Sequence, residues 1–83
     1  MPLYMDIHKG VPGLTAEAVA EAHRQDLEVQ EKHGVKYLHY WFSEEDGAVF
    51  CLSEAPNTEA AEAVHREAHG LVADEIVEVK EGY

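Results

Sequence analysis

Two runs of helix formers, each opened by a capping side chain and closed by glycine, set what this chain can fold into. Thr15 is a good N-cap with Glu17 in the first turn, helix formers run from Ala16 to Lys32, and Gly34 supplies a stop. Pro56, Asn57 and Thr58 start a second run with Glu59 in its first turn, and Gly70 ends it. These signals predict helices over residues 15–33 and 57–69. The remainder reads as short strands. Leu3, Met5 and Ile7 alternate with Tyr4, Asp6 and His8, the period of a half-buried strand, until Gly10, Pro12 and Gly13 break it. Val35 to Phe42 is β-branched and aromatic, Ser43 to Gly47 is a polar turn, and Val49 to Ser53 resumes strand character. Glu75 to Val79 forms a last short strand.

The order βαββαβ is the split βαβ, or ferredoxin-like, arrangement of α+β domains: four antiparallel strands with both helices on one face. Residues 1–83 are expected to form one domain, and a chain of this size hides only about 60–65% of the surface its unfolded form exposes. On the second strand Leu38, Tyr40 and Phe42 occupy one face and Val35, Tyr37 and Trp41 the other. A strand apolar on both sides needs cover on both. Two helices cover one side, so a homodimer through the open sheet face is expected.

Seventeen Asp and Glu against six Lys and Arg leave a formal net charge of −11. Such a field repels polyanions and draws small cations, which argues against nucleic acid as a partner. Cys51 is the only cysteine, so no internal disulfide can form. Met1 to His8 has no basic start and no export-length apolar run, and no stretch approaches the roughly 20 apolar residues of a membrane span. A cytoplasmic protein that does not engage membranes is the expectation.

Six histidines in 83 residues are the feature richest in chemistry, because neutral imidazole is a common ligand for zinc, copper and nickel. His65 and His69 are four apart, so on a helix both imidazoles fall on one side, on the flank of the stripe marked by Val64 and Ala68. They form either a partly exposed metal site or a solvated pair. His8 closes the first strand and could join them. Strand parity opposes this: if Leu3, Met5 and Ile7 face the helices, Asp6 and His8 point to the open face. There they would lie across from Cys51, making a carboxylate, imidazole and thiol cluster at a dimer interface. Cys51 could equally be a small buried apolar residue. His23 and Asp26, three apart among Val19, Ala22 and Leu27, read as a structural pair or as a carboxylate supporting a metal-bound or acid–base histidine. His33 and His39 are the least specific.

Tyr4-Met5-Asp6-Ile7-His8, Ala22-His23 to Asp26-Leu27, Phe50-Cys51-Leu52-Ser53-Glu54-Ala55-Pro56, and Val64-His65 through Ala73-Asp74-Glu75-Ile76 together carry a family resemblance over nearly the whole chain. The sequence resembles the small actinobacterial nickel-binding proteins of ferredoxin-like fold, long listed as a domain of unknown function. The resemblance implies a homodimer that binds nickel at its surface for sequestration or detoxification, without a reaction of its own. Nickel over zinc, copper or cobalt comes from the resemblance alone, because a histidine cluster is promiscuous among these ions. The order Ala68-His69-Gly70-Leu71 departs from the family pattern at the end of the second helix.

No G-x-S-x-G, P-loop, dinucleotide glycine fingerprint or H-E-x-x-H is present. The competing expectation is a small dimeric ferredoxin-like enzyme, a cofactor-free oxygenase or isomerase, with Asp6, His8 and Cys51 or His23 and Asp26 in a pocket. A deep apolar cavity around a histidine would favour it. A third expectation is an acidic partner-binding module with neither cavity nor metal preference.

Overall fold

The computed structural model describes residues 1–82. Strand β1 spans Leu3–His8, helix α1 Ala16–Val29, β2 Lys36–Ser43, β3 Ala48–Glu54, α2 Thr58–Ala68 and β4 Glu75–Val79. The order β2-β3-β1-β4 with every neighbouring pair antiparallel is the ferredoxin-like sheet, as expected from the sequence. Thr15 accepts from the Ala18 amide and Asn57 from the Ala60 amide, so both helices start on side-chain caps. Past α1 the chain tightens into a 3-10 turn, Gln30–His33, and leaves through Gly34 at φ 69°, a left-handed conformation that glycine adopts without Cβ strain. Among the described residues no helix is long and apolar enough to cross a membrane.

The side chains of β1 that face the helices are Tyr4, Asp6 and His8, all buried, while Leu3, Met5 and Ile7 are only partly covered on the open side. This reverses the expected parity. The more apolar row faces outward because Asp6 meets His65 of α2 and Tyr37 of β2 on the covered side, where His8 also packs on the His65 ring, and that holds the strand in this register. On β2 a register irregularity between Tyr37 and His39 resets the alternation. Tyr37, opposite Ser53, therefore shares the helix face with Tyr40, opposite Cys51, and Trp41 turns outward beside Phe50.

The core beneath the helices joins Tyr4, Val19, Val35, Tyr37, Val49, Cys51, Ala55, Ala61 and Val64. Leu27 lies outside it and is exposed, because α1 packs along Val19 and Asp26 instead. Gly47 at φ 65° brings the β2–β3 turn against the loop after β1. Its carbonyl accepts from the Val11 amide at 2.9 Å, and a Cβ there would meet Val11 backbone atoms at 3.5 Å. That loop forms one wall of a cavity between the sheet and the helices.

Candidate functional site

Positions 19, 22, 23 and 26 follow one another along one side of α1, as 61, 64 and 65 do along α2, with 69 at its C-cap. In these stripes Asp26 and His65 take places normally given to apolar residues, and both are buried. Asp6 arrives between them from β1, fully buried. His65 is 1% exposed and engaged on both ring nitrogens: Nδ1 lies 2.9 Å from Asp26 Oδ1, and Nε2 lies 2.7 Å from Asp6 Oδ2 and 3.1 Å from the Tyr37 hydroxyl. The Tyr37 hydroxyl in turn donates to Asp6 Oδ2 at 2.8 Å.

Burial penalises charge on His65, but hydrogen bonds to Asp26, Asp6 and Cys51 outweigh it and push the pKa up to about 11. At neutral pH His65 is an imidazolium between two carboxylates. Burial also works against the Asp26 carboxylate, yet its contacts with His65 and His69 hold it below the usual range. Burial and then the His65 charge push His8 down, and burial pushes His23 down, so both imidazoles are neutral at pH 7. Burial raises the Cys51 thiol, which stays protonated.

His8 stands edge-on to His65 with ring centroids 5.0 Å apart, and His69 is tilted against it at 5.1 Å. His69 Nδ1 accepts from the Leu71 amide at 3.1 Å. Its Nε2 lies 3.0 Å from Asp26 Oδ1, off the line of a ring N–H, and has no aligned hydrogen-bond partner among the described residues. Two sets of donor atoms lie within 4.8 Å of one another: His8, Cys51 and His65, and Asp26, His65 and His69. Both open onto a cavity of about 490 Å³ between α1, the end of α2 and the loop after β1.

The profile of a family described as "Nickel responsive protein SCO4226-like" matches residues 4–79. The chain belongs to the SCO4226-like family. The crystal structure of SCO4226 from Streptomyces coelicolor A3(2) is 38% identical, superposes with a TM-score of 0.90, and is matched over 98% of this chain and 99% of that one. No protein among those with curated functions matches the chain.

In this SCO4226-like chain the candidate residues gather on the covered side of the sheet. His8, Cys51, His65 and His69 line one inner wall, and Asp6 lies off the cavity beneath His65, opposite Cys51 in the β1–β3 register. Two expectations need correction. The Asp6, His8 and Cys51 group lies under the helices and away from the open sheet face, because of the reversed parity. His65 is enclosed and not on an exposed flank, because α2 turns its Ala61, Val64 and His65 row inward. His23 lines the same cavity, but Asp26 pairs with His65 instead, and His23 packs on Tyr40 at 4.7 Å. Tyr37 was not foreseen as part of the site. Its signal was faint: an aromatic in an aromatic strand, whose hydroxyl needs a partner once buried.

Proposed function

We propose that the chain takes up nickel(II) as cargo at the inner cavity wall, with Asp26 and His69 as entering donors and His65 joining when its Nδ1 proton leaves. The supporting observation is the convergence of Asp26 Oδ1, His65 Nδ1 and the unpaired His69 Nε2. Carboxylate and imidazole donors suit nickel(II), as they do zinc, copper and cobalt. The choice of nickel rests on the family description. Because ligating imidazole must be neutral, binding through His65 releases a proton and strengthens as pH rises. Sequestration or detoxification by a cytoplasmic homodimer is the role this reading carries.

Calorimetric titration of EDTA-treated protein with nickel, zinc, copper and cobalt salts tests it. His69→Ala is expected to weaken nickel binding at least tenfold without unfolding the chain, since His69 sits just past the end of α2. Unchanged nickel affinity in that variant, or none in the unmodified protein at pH 8, retires the site.

The dimer is proposed through the open sheet face, where Met5, Leu52, Phe50 and Val77 adjoin Trp41, 50% exposed in the single chain. A large apolar patch of this kind marks an interaction surface. Light scattering should give twice the chain mass at micromolar concentration, and Trp41→Glu should halve it. A chain that is monomeric before mutation sinks the proposal.

A further inference from the structure

Protein interiors are packed with few voids larger than a water molecule. In this 83-residue chain the packing leaves a cleft, open on one side, of about 490 Å³, within the roughly 300–1,000 Å³ range of small-molecule sites. Its walls are Val11 and Leu14 from the loop after β1, Val19 and Ala22 from α1, and Tyr40 from β2. Two buried polar atoms on its lining residues lack an aligned hydrogen bond among the described residues, His23 Nδ1 and His69 Nε2, the second with Asp26 Oδ1 at 3.0 Å; a ligand oxygen reaches them by a small turn of either ring. Because His69 Nδ1 accepts from Leu71, a neutral His69 carries its proton on Nε2, 3.0 Å from Asp26 Oδ1, which would share that donor with a ligand oxygen.

Charge narrows the occupant. Asp6 and Asp26 are turned to His65, so neither offers a free countercharge to an organic cation while His65 keeps both ring protons. At the mouth Lys9 faces Glu75 at 3.8 Å, and the chain's net charge of −11 repels anions. Tyr40 and His23, packed on one another at 4.7 Å, make part of the wall aromatic, which suits a flat partner.

We propose that this cavity binds a small, uncharged, flat aromatic molecule bearing a hydroxyl or carbonyl oxygen, its body against Val19, Ala22 and Tyr40 and its oxygen hydrogen-bonded to His23 or His69. The site does not depend on nickel, and the proposal stands if the metal reading fails. It supplies the cavity that the enzyme expectation required, with the ligand-facing imidazoles being His23 and His69, since both nitrogens of His65 are engaged.

The test is a 15N NMR titration of EDTA-treated protein with 1-naphthol, with naphthalene and 1-naphthalenesulfonate as controls. Saturable shifts are expected at the amides of Leu14, Val19, Ala22 and His23, with naphthalene binding more weakly and the sulfonate weakest. Ala22→Trp, or Leu14→Trp should the first variant not fold, fills the cavity and should abolish the shifts. His23→Phe with His69→Phe should weaken 1-naphthol about tenfold, the size of one or two hydrogen bonds, while sparing naphthalene. Absence of saturable shifts overturns the proposal. So do shifts confined to Met5, Leu52 and Trp41 on the open sheet face, or a sulfonate that binds as well as the alcohol.

Discussion

Replacing His65 by leucine is expected to cost about 3–5 kcal/mol of stability at neutral pH, the penalty of leaving buried charge uncompensated. In the native chain the imidazolium stands between Asp6 and Asp26, and all three side chains are buried. Leucine fills the space but leaves two carboxylates facing one another in a medium where neither is solvated. For a domain of this size the loss corresponds to a melting temperature lower by about 12–40 °C, enough to unfold most small domains. Circular dichroism melting measures it directly. Adding Asp6→Asn and Asp26→Asn to His65→Leu should recover at least half the loss, because the cost lies in unpaired charge and not in the missing ring. A loss below about 1 kcal/mol for His65→Leu alone, in the range of an ordinary neutral hydrogen bond, would show that the three groups do not form an ion triad.

The same triad explains which parts of the molecule the sequence made legible. Helices, strands and their order follow from local signals: Thr15 and Asn57 cap, Gly34 stops, and alternation marks β1, so the ferredoxin-like arrangement could be reached without tertiary information. The facing of β1 could not. Its alternation has two phases, and hydrophobicity favours Leu3, Met5 and Ile7 inward. The phase that forms puts Asp6 inward because His65 and Tyr37 meet it there, partners 59 and 31 residues away along the chain. The irregularity at Tyr37 and His39 likewise has no signature in β2 and moves Tyr37 onto the site side. One signal was present. Asp26 lies seven residues after Val19 and His65 four after Ala61, positions that a helical stripe turns inward, and charge at such positions predicts mutual pairing.

Stability is expected to peak near pH 6.5 and to fall on both sides. His65 has a folded pKa raised to about 11 from an ordinary 6.5. Its contribution is complete below pH 6.5 and is lost as pH rises toward the folded value, since over that window the native state holds a proton that the unfolded chain has released. One such proton gives a limiting slope of about 1.4 kcal/mol per pH unit, or roughly 2 kcal/mol between pH 6.5, where the unfolded histidine is half protonated, and pH 8.5. Above pH 9 the buried Cys51 thiol and Tyr37 hydroxyl, both held protonated by burial first of all, act in the same direction. On the acid side the signs reverse. His8 and His23 have lowered pKa values, so below pH 6.5 the unfolded chain binds protons that the native state refuses. Asp26 is likewise depressed, and its contribution is lost as pH falls below the ordinary carboxylate value toward its own. Urea unfolding at intervals from pH 4 to 9 traces the curve. Asp26→Asn should flatten the alkaline limb by removing the first of the hydrogen bonds that raise His65. Stability that is level from pH 6.5 to 8.5 in the unmodified protein would mean that His65 is neutral there. The proton barrier to nickel at its Nδ1 would then be absent, and nickel affinity should lose its rise with pH over the same range.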